Sequence, residues 1–187
     1  MKKIISILLG VLLVTISFAQ DIVQWRGENR DGIYQETGLL QEWPKEGPGL
    51  LWHFDELGVG HASAAVTEKV ICASGTIEGN GFVIALDHNG NKIWKTEYGK
   101  EWIESWDGVR TTPLIINDKL YLMSAYGVIY GLNKSNGELL WDVDVTKKYD
   151  GVNIKWGMTE NLAFHKEKLF CTVGGIKHNV IALKKNT

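Results

Sequence analysis

Three stretches of this 187-residue chain, Ala64-Ala65-Val66-Thr67-Glu68-Lys69-Val70-Ile71-Cys72, Leu114-Ile115-Ile116-Asn117-Asp118-Lys119-Leu120-Tyr121-Leu122 and Ala163-Phe164-His165-Lys166-Glu167-Lys168-Leu169-Phe170-Cys171, align without a gap, at offsets of 50 and 49 residues. In each, an apolar run leads through a polar turn, with an acid ahead of lysine, into a second run rich in β-formers, which is the pattern of two strands and a hairpin. A third run follows each copy: Phe82-Val83-Ile84-Ala85-Leu86-Asp87, Val128-Ile129-Tyr130-Gly131-Leu132-Asn133 and Val180-Ile181-Ala182-Leu183-Lys184. The first two copies then turn at Asn89-Gly90 and Asn136-Gly137 into a fourth run carrying Trp94 or Trp141. Asn-Gly favours the left-handed backbone of a tight hairpin, so the fourth strand folds back beside the third. The unit is an antiparallel four-stranded meander of about 45 to 50 residues, the size of one propeller blade.

Leu50-Leu51-Trp52-His53-Phe54 reads like a fourth strand alone. A lone outer strand near the N-terminus is what a propeller needs when the start of the chain completes its last blade, since closure removes the open sheet edge. The expected fold is all-β: a β-propeller of four-stranded antiparallel blades, here an incomplete portion of about three. It divides into a closing strand at 50–55, blades at 60–98 and 110–146, and an incomplete blade at 160–187. The third copy stops at Asn186-Thr187, where a glycine turn and a Trp strand are due. On this reading the chain is the N-terminal portion of a longer propeller, and its unpaired blade faces favour self-association.

Ahead of the repeats, Lys2 and Lys3 precede an apolar run to Phe18, and Ser17-Phe18-Ala19 supplies small residues around a cut after Ala19. This is a secretory leader, residues 1–19, and its apolar run is shorter than the roughly 20 residues a bilayer span needs. The mature chain is expected in a periplasm or outside the cell, with no membrane span once the leader is removed. Apolar residues make up 44%, charged residues 22%, and the net charge is −2. That balance excludes a disordered chain and offers no attraction to a phosphate backbone, so nucleic acid is not an expected partner. Export permits disulfides, but Cys72 and Cys171 fall at the same position of two non-adjacent repeats, too far apart to bridge. Both are expected as buried thiols.

The run Ala85-Leu86-Asp87, Asn89-Gly90, Trp94, with its second copy Gly131-Leu132-Asn133, Gly137, Trp141, resembles the repeat of quinoprotein-like (PQQ-like) β-propellers. Gln24-Trp25-Arg26-Gly27-Glu28-Asn29-Arg30-Asp31-Gly32-Ile33-Tyr34, followed by Gly38-Leu39-Leu40 and Trp43-Pro44, resembles the lead-in of exported bacterial members and marks 20–49 as a lead-in. The resemblance implies that Trp52, Trp94 and Trp141 dock as pegs between blades, near glycine turns such as those at Gly90 and Gly137. It departs at Asn133 and Lys184, where the repeat has Asp, each weakening a turn contact. Catalytic members bind pyrroloquinoline quinone and calcium on the propeller axis, often with a pair of adjacent cysteines. Calcium calls for six to eight oxygen ligands. This chain has no adjacent cysteines, and Glu68, Asp118 and Glu167 sit in solvated turns. No catalytic base and no metal ligand set is assigned, and the quinone and calcium are expected only if the chain is an oxidoreductase. The five histidines are scattered, with no metal-binding spacing.

Two long inter-blade connections, 98–113 and 149–161, lead from an outer strand back to the next innermost strand, so their last residues approach the central funnel. Loops on a rigid scaffold are where binding groups are usually placed. Trp106, Arg110, Trp156 and Glu160 are the candidate ligand-binding residues, suited to a sugar, a quinone or a peptide. The competing reading is that the tryptophans cover the blade interface while Arg110 and Glu160 pair across the funnel. Three functions follow: a non-catalytic binding or scaffold module of the cell envelope, resembling the propeller component of outer-membrane protein assembly, with an envelope protein or glycan as partner; a quinoprotein-type oxidoreductase whose site lies beyond this stretch; and a carbohydrate-binding or carbohydrate-active propeller. Missing catalytic groups favour the first.

Overall fold

Alternating apolar runs separated by turn residues give strands throughout the computed structural model, which describes residues 22–153 and 155–186. The leader and its cut after Ala19 lie outside these. A two-residue strand β1 (Ile22–Val23) comes first. Blade one is the antiparallel sheet β2 (Ala65–Val66), β3 (Ile71–Ile77), β4 (Asn80–Leu86), β5 (Lys92–Lys100), in that order. Blade two repeats it with β6 (Leu114–Ile116), β7 (Lys119–Met123), β8 (Val128–Asn133) and β9 (Leu139–Asp144). The third sheet holds β10 (Ala163–His165), β11 (Lys168–Thr172) and β12 (Val180–Lys184).

Period-two alternation within blade two explains why its strands read as continuously apolar. Leu114, Ile116, Tyr121, Met123 and Ile129 face the third blade, packing with Leu169, Cys171 and Ile181. Their neighbours Ile115, Leu120, Leu122, Tyr130 and Leu132 face blade one, packing with Cys72, Val83 and Ala85. A sheet covered on both sides has no solvent face to mark with polar residues. Cys72 and Cys171 are free thiols, one in each of these layers, and burial pushes both up to about 12.

The hairpins turn differently from the tight two-residue form. Gly90 and Gly137 take positive φ (83° and 73°), but Asn89 and Asn136 do not. The Asp87 carboxylate instead accepts from the Asn89 and Asn91 amides, both at 2.8 Å, and the Asn133 amide oxygen accepts from Ser135 N at 2.8 Å. An amide oxygen serves this turn as a carboxylate does, so Asn133 keeps the contact. Register shifts between Ala85/Leu86 and Gly131/Leu132 then set Trp94 opposite Ala85 and Trp141 opposite Gly131. The small residue is required, because a Cβ on Gly131 would lie 2.5 Å from the Trp141 ring.

Each tryptophan of an outer strand reaches the next blade's turn. Trp52 Nε1 donates to His88 O at 2.9 Å with its ring over Gly90, and Trp94 Nε1 donates to Lys134 O at 3.0 Å with its ring over Gly137. The Trp141 indole N–H is buried without a partner among the described residues. Residues 50–55 differ from the expected strand: they join no sheet among the described residues, for a strand needs a neighbour to pair with, and only the Trp52 peg is held. A one-turn helix, α1 (Val145–Lys148), was not signalled by periodicity; Asp144 caps it by accepting from Lys147 N at 3.0 Å.

The lead-in is the larger departure. β1 pairs antiparallel with β6, Ile22 opposite Ile116 and Val23 opposite Ile115, so blade two carries a fifth strand on its innermost edge. Arg30 anchors the turn that follows, donating to Leu162 O at 3.0 Å and Asn161 O at 3.2 Å just before β10.

Candidate functional site

His61, Arg110 and Thr159 are spaced by 49 residues and therefore occupy one register position, immediately before the innermost strand of three successive blades. Together with Trp106 and Trp156 they line a cleft of about 510 Å3. Equivalent positions of successive blades converge only around the propeller axis, which identifies the cleft as part of the funnel mouth. The structure thus brings together three of the four candidate residues, Trp106, Arg110 and Trp156. His61 and Thr159 were missed, although the repeat offset carried past the strands into the loops leads to both.

Glu160 lies elsewhere. Its Oε1 accepts from Thr172 N at 3.1 Å and Thr172 Oγ1 at 3.3 Å, at the end of β11. Thr111, one repeat earlier, turns the same way and donates to Met123 O at 2.8 Å. This register position faces its own blade's second strand, so Glu160 does not pair with Arg110 across the funnel.

Arg110 instead ties the two loops together. Its Nη2 donates to Ser105 O at 3.0 Å and Trp106 O at 2.6 Å, and its Nη1 donates to Trp156 O. The guanidinium also lies 5.6 Å from the centre of the buried Trp102 ring. Trp106 is held at φ +56°, a left-handed conformation that a bulky residue adopts at a cost of about 1–3 kcal/mol, and its side chain is 78% exposed. The loop around it is held by Arg110 together with bonds from Trp102 Nε1 to Ser105 O and from Gly108 N to Trp102 O, both at 2.9 Å. Arg110→Ala is expected to raise amide hydrogen exchange in 103–110 and 153–159 by tenfold or more while β7 and β8 keep their protection; unchanged loop exchange would show that the clamp is idle.

The next positions join neighbouring blades. Ser63 N donates to Thr112 Oγ1 at 3.2 Å, and Thr112 N donates to Asn161 Oδ1 at 2.8 Å, the same contact one repeat on. Gln24, Trp25, Arg26 and Tyr34 of the lead-in, together with Ser63 and Thr112, line a small cavity of about 170 Å3 beside these bonds.

Outside the cleft, Glu101 is a carboxylate with 1% of its surface exposed. Its Oε1 accepts from Tyr98 Oη at 2.7 Å and its Oε2 from Ala125 N at 3.0 Å, which links the end of β5 to the β7–β8 turn of blade two. Burial raises its pKa above the ordinary 4.5, against the lowering effect of both hydrogen bonds. Sequence pattern gave no signal for it, since it sits among the charged residues of a loop.

The described residues do not suit a quinone and its calcium. No group of three His, Cys, Asp or Glu among them is placed to hold a metal ion, the thiols are buried in separate blade interfaces, and the innermost edge of blade two is paired with β1. Among the described residues no helix is long and apolar enough to cross a membrane.

Comparison with known proteins agrees with this architecture. A curated relative, the outer membrane protein assembly factor BamB of Shewanella oneidensis, is 26% identical over 153 residues, covering 77% of this chain and 35% of its own length. The chain therefore spans about a third of the length of that relative. The crystal structure of BamB from Moraxella catarrhalis superposes with a TM-score of 0.51 at 20% identity, covering 73% of this chain and 37% of that one. A europium-containing methanol dehydrogenase superposes with a TM-score of 0.52 at 18% identity, covering 74% and 25%. These two likenesses show the propeller fold, which hosts unrelated functions. The family model described as outer membrane protein assembly factor BamB matches residues 36–184, four-fifths of the sequence, and the chain belongs to that family of PQQ-like propellers.

Proposed function

We propose that this chain is part of an exported, non-catalytic binding module of the cell envelope that engages its partner at the funnel mouth. The observation that carries this reading is the placement of the lead-in. β1 lies along the inner edge of β6, and Arg30 fixes the following turn on the carbonyls of Asn161 and Leu162. In blade two the inner edge that would face an axial quinone is paired with the protein's own β1 backbone. The leader fits delivery to the periplasm, and family membership makes an outer-membrane protein assembly component the first partner to test.

Affinity purification of the full-length protein from detergent-solubilised envelope is expected to retain an outer-membrane assembly protein, and to lose it when Trp106 and Trp156 are both replaced by Ala. Incubation with pyrroloquinoline quinone and calcium, followed by gel filtration, is expected to leave no cofactor absorbance and no alcohol-dependent dye reduction. Retained cofactor with dye reduction would overturn the reading in favour of an oxidoreductase.

A further inference from the structure

The geometry points to the funnel-mouth cleft as a site for a neutral carbohydrate, with Trp106 and Trp156 as the stacking surfaces and His61 and Thr159 as hydrogen-bonding groups. The inference rests on the cleft being the working surface of the binding module and names a ligand class for it. Two indoles, 78% and 51% exposed, line one cleft of about 510 Å3, within the ordinary size of a small-molecule site. Large exposed aromatics on a clamped loop, one of them held in a strained backbone, are costly unless something covers them. An indole face is electronegative and suits the C–H face of a pyranose, while its N–H donates to a hydroxyl.

The polar groups favour a neutral polyol over an acid. Among the described residues Arg110 is the one charged side chain lining the cleft, and both Nη2 hydrogens are spent on Ser105 O and Trp106 O, with Nη1 bonded to Trp156 O. Either two-pronged grip on a carboxylate or phosphate uses Nη2, so the anion fork is closed. The other lining groups are an imidazole, a hydroxyl and two indoles. His61 Nε2 lies 3.2 Å from Asp107 O, which only accepts, so this contact requires a proton on Nε2 and leaves Nδ1 for a ligand hydroxyl. The Thr159 hydroxyl and the Trp106 and Trp156 N–H groups bond to no protein atom among the described residues. Lys155 covers one face of the Trp156 ring, its Nζ 4.8 Å from the ring centre. An extended peptide is disfavoured by the same bonds, because the carbonyls of 105, 106 and 156 that would pair with its backbone are occupied by Arg110.

Titration of the full-length protein with cellohexaose, laminarihexaose and chitohexaose, followed by tryptophan fluorescence and calorimetry, tests this, with polygalacturonate and an uncharged proline- and tyrosine-rich peptide as competing probes. Saturable binding of at least one of the three neutral sugars is expected. Trp106→Ala and Trp156→Ala should each weaken it roughly tenfold or more with an unchanged unfolding midpoint, and Trp→Phe at either position should retain most of it. No binding by any neutral sugar, binding of polygalacturonate or the peptide alone, or full binding by both alanine variants overturns the proposal. If sugars fail while the assembly partner is still retained, only this inference falls; if sugars bind and the partner is not retained, the assembly role falls and the carbohydrate site stands.

Discussion

Gly137→Ala is expected to cost about 3–6 kcal/mol of stability. Three costs combine. Gly137 sits at φ +73°, where a side chain costs roughly 1–2 kcal/mol. Its new Cβ would lie 2.5 Å from Trp94 Cε3 and 2.8 Å from Cδ2, overpacking worth about 1–3 kcal/mol. Displacing the indole also lengthens the bond from Trp94 Nε1 to Lys134 O and the one from Thr96 Oγ1 to Gly137 O, now 3.0 and 2.8 Å, for about 1 kcal/mol more. Gly38 supplies the internal control: its φ is +71°, and nothing lies within 4 Å of its notional Cβ. Gly38→Ala should therefore cost only the backbone part, about 1–2 kcal/mol. Urea unfolding of the two variants beside the parent isolates the peg, and equal losses would mean that the Trp94 contact contributes nothing.

Replacing Glu101 gives the second large effect and a pH signature. Glu101→Ala leaves Tyr98 Oη and Ala125 N without their acceptor inside the blade interface, which should cost about 2–5 kcal/mol at pH 7. Glu101→Gln keeps an oxygen for one of the two donors and removes the buried charge. Because burial raises the folded-state pKa above 4.5, the folded chain binds this proton more tightly than the unfolded chain does. The contribution of Glu101 is then fully present below about pH 4.5, and stability declines as pH rises through the folded value. Glu101→Gln should flatten that decline. A parent whose stability rises with pH across this window at a slope matched by Glu101→Gln would show that Glu101 does not titrate there. Tyr98 cannot supply the same signal, since burial and the Glu101 charge push its phenol well above its usual range.

The propeller was legible because its strands carry their own period. Alternation decides which face each residue serves, and the 49- and 50-residue offsets decide which positions are equivalent. That logic located the Trp94 strand, the Gly137 turn and the loops bearing Trp106 and Trp156. It failed on contacts set by side-chain direction over a single residue: Thr159, Glu160 and Asn161 are consecutive, yet they face the cleft, their own blade and the neighbouring blade in turn. It also failed on the lead-in, whose two-residue strand has no alternation to read and whose partner β6 lies more than 90 residues away. Glu101 was hidden because composition treats a carboxylate in a loop as solvated, whereas its burial depends on Tyr98 and on a backbone amide of another blade.

The pegs and the funnel bonds share a direction in sequence. Trp52 and Trp94 find acceptors 36 and 40 residues downstream, and Ser63 and Thr112 find theirs 49 residues downstream. A chain threaded N-terminus first through an export pore would therefore consolidate each blade only when the following one emerges. The pegs and funnel bonds of each blade would close about one blade length behind the emerging chain, whereas β1 would wait for β6 and Arg30 for Leu162, 132 residues downstream, so the lead-in would stay open to proteases longest.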